Sequence, residues 1–258
     1  MSTMIERAQT DPDAIMLVGA HCRDLLHIAH GHHMPLRSTN DIDIAVVVSE
    51  WEYYQRLTGH FNKTDGSDVR FLIDEIPVDI VPFGAIEDPA GSAAIPHRGD
   101  AVDVFAFREV FYRAPKLVLP SGVSIKLPTP QGYAALKLKA WCDRSAAPRY
   151  EYKDASDLAV VCFWYRNSEV VLEYLYSEGS ELLVSADYSP DRATLLLLGR
   201  QIVDEIGNAR TGELREKWLA TDVDRFVEYF YRAPIGIAPV NLRAAGEAVR
   251  DLTAFLHD

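Results

Sequence analysis

Along the first half of the chain, short apolar runs alternate with polar breaks marked by glycine or proline. Ala14 to Val18 is wholly apolar and stops at Gly19, after which Ala20 to His30 carries Leu25, Leu26, Ile28 and Ala29 at helical spacing. That pattern predicts a strand, a tight turn and a helix. After a turn-like stretch from Gly31 to Asn40, Asp41-Ile42-Asp43-Ile44 alternates acid with aliphatic, and Ala45 to Val48 is then wholly apolar, as in a strand entering a core. The two acids therefore share one face. A helix is expected over 50–57, strands over 69–73 and 78–81, the second ended by Pro82, and a hairpin over 116–126 turning at Pro120-Ser121-Gly122. Together these elements make a small mixed sheet with helices.

Past Leu127 the texture changes. Thr129-Pro130 starts a helix, since proline is tolerated in the first turn, and helical periodicity dominates from there through Leu256. Ser189-Pro190 opens another helix whose run of leucines implies burial on most sides. The expected fold is an α/β domain over 1–127, followed by a helical domain over 128–258 that completes the active-site cleft. No internal repeat or low-complexity tract interrupts it.

Composition narrows the field. With 258 residues, 48% of them hydrophobic, the chain can fill one large core or two modest ones. A formal net charge of -12 argues against a protein that coats nucleic acid, which needs a broad Lys/Arg surface to displace counterions. A local basic cleft is still compatible, because focusing depends on where charges lie. Cys22, Cys142 and Cys162 are odd in number, far apart and without a C-x-x-C pair, which points to a reducing cytosol rather than a disulfide framework. Residues 1–13 lack the basic start and apolar stretch of a secretory signal, and no aliphatic run can cross a bilayer. A cytoplasmic protein with no membrane partner is expected.

Candidate chemistry gathers at Gly19-Ala20, at Asp41-x-Asp43 on the next strand, and at Asp79 on a third. A small-residue turn into a helix lets backbone N–H groups approach phosphate oxygens, helped by the helix dipole. Acids at i and i+2 project together and can share divalent cations. Mg²⁺ commonly takes one or two carboxylates plus substrate phosphates, and a neighbouring strand can bring the third acid. With two metals, one activates an attacking hydroxyl and the other stabilises a leaving pyrophosphate. A lone D-x-D is more often a solvated strand edge. The upstream turn, the Arg37-Ser38-Thr39 lead-in and the Val78-Asp79-Ile80-Val81 strand tip the balance, because an acid on a core strand needs compensation such as a metal.

The segments Leu17-Val18-Gly19-Ala20 and Arg37-Ser38-Thr39-Asn40-Asp41-Ile42-Asp43 are followed by Leu136-Lys137-Leu138-Lys139-Ala140, Asp143-Arg144 and Lys153-Asp154-Ala155-Ser156-Asp157-Leu158. Taken together, these residues resemble the nucleotidyltransferase superfamily with the DNA polymerase β-like fold, and within it the AbiEii/MenT-like toxin branch. The resemblance implies transfer of a nucleoside monophosphate from an NTP to an acceptor hydroxyl, with Mg²⁺ or Mn²⁺ at Asp41, Asp43 and Asp79. It further implies that Lys137 holds the triphosphate and that Asp154 completes the catalytic set. Gly19, Ala20, His21, Arg37, Thr39, Lys139 and Arg144 are the remaining nucleotide-binding candidates. Lys137 and Lys139 lie on different faces of one helix, and the choice between them stays open. The branch implies a toxin whose acceptor is RNA, a tRNA end, with the antitoxin a separate chain.

Without the resemblance, Lys137, Lys139 and Arg144 read as a solvated helix face, and Asp154 as an acid favoured in a first turn. The chain departs from the family in two places. The family turn is typically Gly-Gly or Gly-Ser, whereas this chain has Gly19-Ala20-His21, and residues 146–152 look like an inserted loop between Lys137 and Asp154. Two rival readings are a small-molecule nucleotidyltransferase, whose cationic, aminoglycoside-like acceptor suits an acidic protein, and a non-catalytic nucleotide-binding protein with the same fold. His27, His30, His32 and His33 with Cys22 invite a zinc reading, but histidines among apolar helix positions are more often packed in a core. Phe163-Trp164-Tyr165 with Tyr174 and Tyr176, and Tyr229-Phe230-Tyr231, are read as helix-packing core rather than base-stacking platforms. Ser38 and Ser121 lack a histidine–acid arrangement.

Overall fold

A computed structural model describes residues 2–64, 66–96, 101–145 and 153–257; the loop expected over 146–152 lies outside the described residues. The chain divides into two compact units, Met1–Leu25 with Arg37–Thr129, and Leu26–Leu36 with Pro130–Asp258.

The first unit opens with α1 (Ser2–Ala8), β1 (Ile15–Val18), α2 (Gly19–Ala29, its last turn counting with the second unit), β2 (Ile42–Val48) and α3 (Trp51–Thr58). It continues through β3 (Asn62–Lys63), β4 (Arg70–Ile73), β5 (Ile76–Gly84), β6 (Ser92–Ala94), β7 (Ala101–Asp103), α4 (Phe107–Arg113), β8 (Lys116–Val118) and β9 (Ser124–Lys126). Seven strands form one mixed sheet in the order β3-β4-β5-β2-β1-β9-β8, larger than the sequence pattern implied, while β6 and β7 make a separate ribbon. β2 runs parallel to β5 and antiparallel to β1. Strands with neighbours on both sides carry the apolar runs: Ile15, Met16, Ile44, Ala45, Val46 and Ile80 are fully buried.

Pro82 does not end its strand. Ile80 N donates to Val69 O at 2.7 Å, so alternate N–H groups along β5 point toward β4, which has no residue opposite Pro82. Pro77 points its missing donor the other way, toward β2, whose pairing begins only at Val78. Both prolines therefore sit where no ladder bond is lost.

The second unit is helical: α5 (Pro130–Ser145), α6 (Lys153–Arg166), α7 (Glu169–Leu175), α8 (Ser180–Ser185), α9 (Pro190–Leu219), α10 (Val223–Tyr231) and α11 (Leu242–Leu252). Side chains of Ser168, Ser189, Asp222 and Asn241 accept from the first-turn N–H groups of α7, α9, α10 and α11, satisfying donors that a helix start leaves open. Phe226 receives Trp141 and Trp218 edge-on, each with ring centroids 5.1 Å away. A smaller core of Leu175, Leu182, Leu183, Ala186, Ala193 and Leu197 joins α7, α8 and α9. The aromatic segments are not uniformly core: Trp164, Tyr165 and Phe230 are buried, but Tyr174, Tyr176 and Tyr231 are exposed. Among the described residues no helix is long and apolar enough to cross a membrane. The three cysteines are free and buried, and burial pushes the Cys142 and Cys162 thiols up to about 12.

Candidate functional site

The parallel ladder between β2 and β5 sets Asp43 directly opposite Asp79. In-register neighbours on adjacent strands point to the same face, and the period of two puts Asp41 on that face as well. The three half-buried carboxylates each offer an oxygen lying within 4.8 Å of the others. Such a set of hard oxygen donors suits Mg²⁺ or Mn²⁺.

Two neighbours tune this trio. Thr39 Oγ1 donates to Asp41 Oδ1. Arg70, the register partner of Asp79 on β4, donates from Nε to Asp79 Oδ1 at 2.7 Å and from Nη2 to Asp79 Oδ2 and Asp41 Oδ2 at 2.8 Å each. Its guanidinium is held above its usual value, first by the hydrogen bond to Asp79, against the cost of desolvation, and further by the charges of Asp79, Asp41 and Asp43. It offsets part of the repulsion among like charges crowded on one face. The sequence reading missed Arg70. The available signal was a basic residue alternating with Phe71 and Ile73, which places it opposite the buried face.

Gly19 is the other close neighbour. It begins α2 directly after β1, with φ +66°, and a Cβ added there would lie 1.9 Å from Asp43 Oδ2. Only glycine brings backbone so near that carboxylate. Ala20 is buried behind it, and His21 is half-buried with Nδ1 making no hydrogen bond among the described residues. The Arg37 carbonyl accepts Arg23 Nη2 at 2.6 Å; Arg23 is itself buried and bonds Asp24, tying the lead-in to β2 onto α2. This tether also escaped the sequence reading.

The remaining candidates lie in the helical unit and form a cluster of their own. Lys137 Nζ sits 3.1 Å from Asp154 Oδ1 and 2.8 Å from Asp157 Oδ2, Arg144 Nη1 sits 2.7 Å from Asp154 Oδ2, and Tyr133 Oη donates to Asp157 Oδ2 at 3.2 Å. Burial alone would lower the Lys137 ammonium, but Asp157 and Asp154 outweigh it and hold the group above its ordinary value. Lys139 is buried too, on the other face of α5, beside Asp143 at 2.6 Å. Lys137 and Lys139 are thus not a solvated face, and Asp154 is more than a first-turn acid: it is fully buried between two cations. Arg144 and Asp143 are the members of this cluster that reach solvent.

The histidines pack against aromatics. His27 Nδ1 accepts from Trp164 Nε1 at 2.9 Å, His30 stacks on the same indole at 5.3 Å, and His32 meets Phe163 at 4.7 Å. Desolvation, then the neighbouring His32, holds the His30 imidazole below its usual value.

No protein-family model matches the chain, and no curated protein matches it. What stands is a class defined by architecture: a mixed α/β unit carrying a three-carboxylate cluster, and a helical unit carrying a buried Lys–Asp network.

Proposed function

We propose that this chain is a metal-dependent nucleotidyltransferase that moves a nucleoside monophosphate from an NTP to an acceptor hydroxyl, breaking the α–β phosphoanhydride bond and releasing pyrophosphate. The observation that carries the reading is the convergence of Asp41, Asp43 and Asp79 beside the close backbone of Gly19. Asp41, Asp43 and Asp79 would hold Mg²⁺ or Mn²⁺, which when bound polarises a phosphoryl group and eases deprotonation of a hydroxyl. Gly19 and the first N–H groups of α2 face the phosphate chain. Thr39 orients Asp41, and Arg70 keeps Asp79 and Asp41 gathered. One of the carboxylates takes the proton that the acceptor hydroxyl gives up.

The resemblance supplies the rest of the proposal: a cytoplasmic toxin acting on a tRNA end, with a separate antitoxin. An assay with radiolabelled NTPs against total tRNA and a panel of small hydroxyl compounds tests it, since label on tRNA supports the RNA reading and label on a cationic sugar the small-molecule one. Asp43→Asn is expected to reduce transfer about a thousandfold or more, the loss of several kcal/mol of charge stabilisation, with an unchanged far-ultraviolet spectrum. Ordinary activity in that variant would remove the mechanism. Metal-dependent nucleotide binding without transfer to any acceptor would favour a non-catalytic protein.

A further inference from the structure

From Asn167 to Asp191 the chain carries six carboxylates, at Glu169, Glu173, Glu178, Glu181, Asp187 and Asp191, and no Lys, Arg or His. All six are exposed. Glu181 pairs with Arg200 and Asp187 with Arg192, whereas Glu169, Glu173, Glu178 and Asp191 have no ion pair among the described residues. Large apolar side chains are interleaved with these acids: Val170 is 75% exposed, Tyr176 67% and Tyr188 76%, with Tyr174 and Val184 also open to solvent.

On α7 the two kinds of residue form adjacent rows, Glu169–Glu173–Tyr176 and Val170–Tyr174, because positions three and four apart stack on one helix face. The opposite face is committed to the core shared with α8 and α9, through Leu175 and Val171. Tyr174 is held in place: a Cβ added at Gly179 would lie 2.5 Å from its Cε1, so its ring lies on bare backbone. At the start of α7 a groove of about 590 Å³ opens, lined by His30, Pro130, Tyr165, Glu169, Val170 and Val171, all within the helical unit.

Scattered exposed apolar residues are ordinary, but a held aromatic and a valine row continuous with a groove and rimmed by acids mark an interaction surface. Charge selects the occupant. Nucleic acid and anionic membrane are polyanions and are repelled. A second copy of this chain, at -12, would set this same acidic surface against itself in a two-fold pairing. We propose that the α7–α8 surface and its groove dock a basic amphipathic segment of another protein, its apolar residues seated on Val170 and Tyr174 and its Lys/Arg row facing Glu169, Glu173 and Glu178. The inference does not depend on the nucleotidyltransferase reading.

Fluorescence anisotropy with the full chain tests it. The probe is a labelled helical peptide of about eighteen residues with leucines at helical spacing and lysines elsewhere, set against a twin carrying glutamate for every lysine. The lysine peptide is expected to bind and weaken with added salt, and the glutamate twin to stay free. Glu169→Lys with Glu173→Lys should weaken binding at least tenfold, and Val170→Ser with Tyr174→Ser at least fivefold, with helix content unchanged. Glu52→Lys with Glu216→Lys makes the same change in net charge at exposed sites elsewhere and should leave binding intact. No binding of the lysine peptide, or an equal loss in the remote pair, overturns the proposal. So does a concentration-dependent dimer abolished by the Val170 and Tyr174 substitutions, which would give the surface to a second copy.

Discussion

Gly19 satisfies two demands by lacking one atom: it adopts φ +66°, and it leaves room for Asp43 Oδ2. In Gly19→Ala the methyl overlaps the carboxylate, and the left-handed backbone adds about 1 kcal/mol of strain. The carboxylate must move, and a displacement on the order of 1 Å at a reacting centre costs about a hundredfold in rate. Transfer assays should show that loss while the melting temperature falls by only about 2–4 °C per kcal/mol; full activity would show that the close approach is immaterial. Arg70 predicts the reverse kind of effect. A divalent cation bound as proposed would draw on the same oxygens of Asp79 and Asp41 that the guanidinium holds. Arg70→Gln should therefore be less stable without metal, and should gain more in melting temperature from Mn²⁺ than the parent does. An equal or smaller gain would mean that Arg70 and the cation do not compete.

At the level of elements, apolar runs located β1 and β2 closely and the Thr129-Pro130 and Ser189-Pro190 pairs located the starts of α5 and α9, because each signal lies in the element's own residues. β5 was cut short at Pro82, since local rules cannot tell that β4 has already ended on the side that proline disables. Tyr174 and Tyr176 were assigned to the core for a similar reason: an aromatic run shows that something is to be covered, not whether this chain covers it. The stack of His30 on Trp164 gives the C-terminal end of α2 a pH dependence. Because burial and His32 depress the folded imidazole below its ordinary 6.5, the unfolded chain binds the proton first on acidification. Stability is then lost as pH falls below about 6.5. The imidazole is half-exposed, so screening keeps the loss of melting temperature between roughly pH 7.5 and 5.5 small. His30→Gln should flatten that difference in thermal melts, and an unaltered slope would assign it to other groups.

For the molecule as a whole, the α/β-then-helical order and the meeting of Asp41, Asp43 and Asp79 were legible, because alternation on β2 and an acid within an apolar strand are local signals with one simple solution. Arg70, Arg23 and the burial of Lys137 between Asp154 and Asp157 were not, because each depends on partners that only the tertiary fold supplies. The in-register meeting of Asp43 with Asp79 carries one more consequence. A slip of a single residue between β2 and β5 would turn Asp79 to the reverse side of the sheet while sparing most backbone hydrogen bonds. Molecules zipped one notch out would pass for native by circular dichroism yet capture no cation. With a cation held as proposed, metal uptake after renaturation counts the correctly threaded fraction, a quantity that spectroscopy of the backbone overstates.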